Sequence, residues 1–203
     1  MNESAKARAA ADVLAELQAN PEYRTEQERR ERERRAIEAE LSAAERPLVD
    51  QLRSAGFGVS SAWDLVAQAT PYHAALPILL EYLALPYPDR VREGVARALA
   101  VPEAGFAWPT LLDLYRREPA GTDTKDGLAV ALGQTATEDA IDDIITLARE
   151  PAHGTSRLLL LRRLYETQRP NAWSELERLR RDPELGAEAT ALLERRAAHQ
   201  RRA

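Results

Sequence analysis

From residue 60 onward, apolar side chains recur three and four positions apart, in paired stretches separated by turns marked with proline. That spacing puts them on one face of an α-helix. The stretch Asp89 to Glu118 holds two such patterns, and it is one copy of a repeat. Moving forward by 33 residues lays Glu93-Gly94-Val95-Ala96 on Asp126-Gly127-Leu128-Ala129, and Trp108, Leu111, Leu112 and Leu114 on Ile141, Ile144, Ile145 and Leu147. Moving back by 32 lays Ala107-Trp108-Pro109-Thr110-Leu111-Leu112-Asp113 on Ala75-Leu76-Pro77-Ile78-Leu79-Leu80-Glu81. A further forward step of 32 carries Ile141, Ile144 and Leu147 to Trp173, Leu176 and Leu179. A fixed period in this range marks helical units that stack because none can bury its apolar face alone.

The pattern predicts first helices at about 61–69, 89–100, 123–134 and 155–167, and second helices at about 71–84, 103–117, 138–149 and 171–181. Ser61 with Asp64 forms a capping-box arrangement before the first of them. Pro77 and Pro109 fall six or seven residues into two second helices, so those helices either kink there or begin their regular part there. A last helix from Pro183, with Asp182 as its N-cap, to about Gln200 leaves the repeat pattern and ends in Arg195, Arg196, Arg201 and Arg202, the polar end that a stack of repeats requires.

Ahead of the repeats the periodicity changes twice. Ala10, Val13, Leu14 and Leu17 share a face of a short helix that stops before Pro21. Between Glu22 and Arg46, eight acidic and seven basic residues interleave, with Glu26/Arg30, Glu28/Arg32 and Glu31/Arg35 at supporting spacing. No apolar residue lies between Arg24 and Arg35, so this arm lacks the seam of a coiled coil. Apolar spacing resumes at Ile37, Leu41, Ala44, Leu48 and Leu52, and the arm is expected to dock from Ile37 onward. The domain expectation is therefore residues 1–55 as an N-terminal helical region with the charged arm at 22–46, repeats at 60–181, and a capping helix at 182–203. The arm is read as a solvated charged helix, with homodimerisation through it as the alternative.

Composition sharpens this picture a little. Apolar residues make up 44% and charged residues 30%, a balance that folds in water, while aromatic residues at 5% and the lack of alternating Val/Ile/Thr runs argue for an all-α protein. The absence of cysteine removes disulfides, thiolate nucleophiles and sulfur-ligated metals. No membrane-span run and no signal-peptide core stands out, so the expected location is cytoplasmic, without membrane association.

The phrases ALPILLEYL and AWPTLLDLY, with DRVREGVARAL and TKDGLAVALG, resemble HEAT repeats of the short kind first noted in bilin lyases. The resemblance covers about Ser60 to Arg181, and Arg92, Lys125 and Arg157 fall in register at the family's basic first-helix position. It implies a right-handed α-solenoid of about four HEAT-like hairpins, with second helices lining the concave side. Thr70-Pro71-Tyr72-His73-Ala74-Ala75 imitates an ankyrin signature but occurs once, and Pro77 would interrupt the ankyrin helix.

Candidate chemistry is sparse. His73, His153 and His199 lie in three segments without carboxylates at metal-ligand spacing, and no nucleophile elbow or phosphate-cradling glycine loop occurs. Adjacent acids such as Asp142-Asp143 point about 100° apart on a helix and cannot flank one atom, so they read as a helix start. Trp108 and Trp173 share the packing column of Leu76 and Ile141. The basic ladder Arg92, Lys125 and Arg157 reads as bonding between units. No catalytic residue, cofactor or metal is expected, and the chain is expected not to be an enzyme.

What remains is the face of the second helices opposite Leu76, Leu79, Leu80 and Leu83. It carries Ala74, Ile78, Glu81 and Leu85, then Phe106, Thr110, Asp113 and Arg117, then Asp139, Asp143, Thr146 and Glu150, then Asn171, Glu175, Arg178 and Asp182. Seven of these sixteen are acidic and two basic, in a chain of net charge -5. Such a face repels phosphate backbones and attracts basic proteins. The expected function is a protein-binding adaptor, scaffold or inhibitor holding a basic partner on an acidic concave surface, without nucleic-acid binding. Two alternatives come from the resemblance. One is a HEAT-like DNA alkylation-repair glycosylase, imitated by Trp108 and Asp113, and the other is a bilin-lyase-like subunit.

Overall fold

The computed structural model describes residues 20–68 and 70–200. The expected stripe of Ala10, Val13, Leu14 and Leu17, the first-helix residue Ala69, and Arg201 and Arg202 of the expected cap lie outside them. Among the described residues all regular structure is helical: α1 Pro21–Ser54, α2 Ala62–Val66, α3 Leu76–Leu83, α4 Asp89–Ala98, α5 Trp108–Arg117, α6 Asp123–Thr135, α7 Ile141–Arg149, α8 Leu158–Glu166, α9 Pro170–Leu179 and α10 Gly186–Gln200. The chain divides into two compact units, Met1–Ala43 and Ala44–Ala203.

In the first unit α1 is held by its own side chains. Asn20 caps it by accepting from Glu22 N at 2.9 Å. Arg29 then bridges Glu26 and Glu33, and five residues later Arg34 bridges Glu31 and Glu38 in the same way. Two of the expected pairs form, Arg30 with Glu26 and Arg35 with Glu31, both at 2.7 Å. The third does not, because Arg32 donates to the Glu28 backbone carbonyl instead. Ile37 is 58% exposed, so docking does not begin there. The division between the units falls within α1, after Ala43. The end of α1 belongs to the second unit, where Leu48, Val49 and Leu52 are buried and Glu45 accepts from Ala62 N at 2.6 Å and from Ser61 Oγ.

The second unit carries one continuous apolar core built from the predicted stripes. The Ser61/Asp64 capping box opens α2. The proline question is answered by short 3₁₀ turns, His73–Ala75 and Pro102–Ala107, which precede α3 and α5. Pro77 and Pro109 then fall at the start of the regular helix, where a missing N–H costs nothing. The last helix starts at Gly186 rather than Pro183. Asp182 spends its carboxylate on the intervening turn, accepting from Glu184 N at 2.9 Å and Leu185 N at 3.0 Å.

The helices α2, α4, α6 and α8 pack in sequence, α4 against α6 most intimately. Glycine makes this possible: a Cβ on Gly127 would stand 2.9 Å from Glu93 O, and one on Gly94 2.6 Å from Trp63 Nε1. Each of α3, α5 and α7 packs against the helix that follows it. The basic ladder ties these pairs together. Arg92 donates to Leu83 O, Lys125 Nζ to Tyr115 O at 2.8 Å and Glu118 O at 2.7 Å, and Arg157 to Ala148 O at 3.2 Å. Each cation therefore satisfies carbonyls at or just beyond the C-terminus of the preceding helix, where the backbone leaves acceptors unpaired.

Candidate functional site

The expected binding face is set out by the orientation of α3, α5 and α7. Leu76, Leu79, Leu83, Leu111, Ile141 and Ile144 point into the core, which turns the opposite face of these helices outward. Glu81, Thr110, Asp113, Arg117, Asp139, Thr146 and Arg178 are exposed, and Ile78 and Asp143 are half-buried. Phe106, at the end of the turn before α5, is a large apolar side chain left 56% exposed. In the first three repeats the named positions of the strip lie at the surface or half-buried.

The fourth repeat departs from expectation. Glu175 is 2% exposed and is held by Arg149 at 2.5 Å, with Arg178 at 3.5 Å. It is an internal counter-ion between α7 and α9 and does not extend the outer strip. The partner that buries it lies 26 residues upstream, beyond the reach of any local pattern.

The strip is also less negative than its residue count. Asp113 pairs with Arg117, Asp143 with Arg116 at 3.7 Å, Asp139 with Arg169 at 3.5 Å, and Asp182 with Arg157 at 2.9 Å. Most of these arginines lie outside the sixteen positions. The pairs of Asp113, Asp143 and Asp139 are exposed and contribute little stability, whereas Arg157 is buried where it meets Asp182. Asp139 itself remains 98% exposed.

The two sets of helices are packed to different degrees. The row α2, α4, α6 and α8 is the closely spaced one, whereas among α3, α5, α7 and α9 only α7 and α9 make substantial contact.

Other singled-out residues have structural surroundings. Trp108 and Trp173 are half-buried against the core, and Trp173 donates to Thr167 O at 3.0 Å while Arg196 of α10 lies over its ring. Trp63 is covered by Arg90, 4.4 Å from its ring centre. Asp142 and Asp143 occupy the first turn of α7. His153 is buried, its ring 4.8 Å from that of Tyr115 and its Nε2 3.0 Å from Glu150. Burial, with Lys125 nearby, pushes the His153 pKa down, and burial pushes that of Tyr115 up to about 12. Lys125 lies over the Tyr115 ring, and burial lowers its pKa as well. Among the described residues no group of His, Asp and Glu is placed to hold a metal ion, and no helix is long and apolar enough to cross a membrane.

Sequence reasoning missed one surface feature. A cleft of about 410 Å³ opens between α6, α8 and α10, lined by Val130, Leu158 and Leu159 with Arg162, Arg163, Glu166 and Glu188 at its edges. The signal was the run Leu158 to Leu161, longer than one buried face requires, beside Gly133 at the end of a helical pattern.

Comparison with models of known protein families, with curated proteins and with solved structures returns no significant match.

Proposed function

We propose that this chain is a non-catalytic protein-binding repeat: a right-handed, HEAT-like α-solenoid of about four hairpins, closed by α10, that works in the cytoplasm as an adaptor, scaffold or inhibitor. The repeated hydrogen bonding of Arg92, Lys125 and Arg157 supports the stacked-repeat reading, since each does the same task one unit further along. The observation that carries the binding role is the outward strip of α3, α5 and α7. There Phe106 stays exposed at the head of a helix that displays Thr110 and Asp113, and the neighbouring second helices display Glu81 and Asp139. An exposed aromatic with carboxylates on the same face suits a partner that brings an apolar pocket rimmed by lysine or arginine.

Basic groups on such a partner would take over the carboxylates now paired with Arg116, Arg117 and Arg169, exchanging weak surface pairs for ones buried at an interface. Photo-crosslinking residues placed at positions 78, 106 and 146 should capture one partner of basic net charge, while the same probe at position 29 of α1 captures none. Changing both Asp113 and Asp143 to Lys should then slow association with that partner and flatten its salt dependence, with the fold retained. Capture from position 29 alone, or unchanged association after the double reversal, would remove the strip from the function.

A further inference from the structure

The cleft between α6, α8 and α10 contains a residue that packing does not explain. Gly94 and Gly127 are required by close helix approach, because an added Cβ would come within 2.6 Å and 2.9 Å of neighbouring atoms. At Gly133 an added Cβ would meet only Leu159 O, at an ordinary 3.7 Å. Gly133 stands in the last turn of α6, where the contact between α6 and α8 does not require a glycine. What Gly133 does is keep the cleft open beside Leu159, which is one of the few large apolar side chains left exposed.

The polar groups at the cleft point to the kind of occupant. Arg163 is tied to Glu138 at 2.8 Å. Arg162 is neutralised by Glu166 at 2.7 Å, whereas Glu188 forms no ion pair among the described residues. An apolar floor, with a carboxylate at the edge that is unpaired among the described residues, suits a short piece of polypeptide that carries an apolar side chain next to a cation.

We infer that this cleft docks a peptide segment of a protein partner, in which a leucine-sized or aromatic side chain fills the floor and a neighbouring lysine or arginine meets Glu188. This rests on reading the chain as a protein-binding repeat, but on a different surface from the second-helix strip.

The test is selection of random displayed peptides on the full chain, with depletion on a Gly133→Phe variant that fills the cleft. Survivors should share an apolar residue within two positions of a lysine or arginine. A synthetic survivor should bind at least about tenfold more weakly to Gly133→Phe and to Leu159→Asp, and several-fold more weakly to Glu188→Lys. Leu159→Asp changes an exposed side chain, so its melting temperature should match the parent and its result stands even if Gly133→Phe folds poorly. The Asp113→Lys, Asp143→Lys double variant should bind the peptide as the parent does, which separates failure of the cleft from failure of the strip. The inference is overturned if no peptide is retained, if survivors are acidic, or if they bind the Leu159→Asp variant as tightly as the parent.

Discussion

Replacing Lys125 with methionine should be among the most damaging single changes in the second unit. The side chain is 1% exposed, and its ammonium gives hydrogen bonds of 2.8 and 2.7 Å to Tyr115 O and Glu118 O while lying 4.5 Å from the centre of the Tyr115 ring. Methionine keeps most of the volume and removes every donor. Two carbonyls at the end of α5 then lose their partner, at about 1–3 kcal/mol each, and the cation–π contact is lost as well. Against this stands the recovered cost of burying an ammonium, the same burial that lowers the Lys125 pKa. The balance is a loss of about 3 kcal/mol, or about 6–12 °C in Tm for a unit of this size. Urea denaturation followed by circular dichroism reads it as a lower midpoint at unchanged slope. A loss below about 1 kcal/mol would refute the reasoning, because it would mean that the ladder is incidental and that apolar contact alone joins the units.

Other outcomes follow from the same contacts. Leu111 is fully buried at the centre of α5, so Leu111→Ala should cost about 2–5 kcal/mol in the same denaturation assay. His153, whose pKa is lowered by burial, is held neutral in the folded state while the unfolded chain takes up a proton near the ordinary value of 6.5. Stability is therefore fully present above that pH and falls as pH drops below it, and His153→Gln should flatten this part of the stability–pH curve. Deleting residues 1–43 should leave the remaining chain cooperatively folded with nearly the same Tm, since the buried residues of α1 begin at Glu45. Raising salt should reduce the helical signal contributed by α1, whose first part is held by exposed ion pairs, before it affects the cooperative transition of the core.

The fold was legible where its cause is periodic. Leu76, Leu79 and Leu83 repeat as Trp108, Leu111 and Tyr115 because each second helix must cover the same neighbour, and the register of Arg92, Lys125 and Arg157 reflects one carbonyl-capping task done three times. What escaped depends on contacts that no short window contains. Glu175 reads as one more surface carboxylate until Arg149 is brought across from α7. The apolar spacing at Ile37 and Leu41 continues smoothly into Leu48, yet burial starts only at the later residues, because periodicity says which face is apolar and not where a neighbour ends. The strip's sign was overstated for a similar reason. Arg116 and Arg169 stand outside the strip's own register but reach its carboxylates in space.

The most direct test of the binding role is hydrogen–deuterium exchange of the purified chain with and without the partner captured by crosslinking. The account predicts added protection concentrated in α3, in the turn and helix from Pro102 to Arg117, and in α7, with α1 unchanged. Protection confined to residues 21–43 would contradict it and move the binding site to the charged helix.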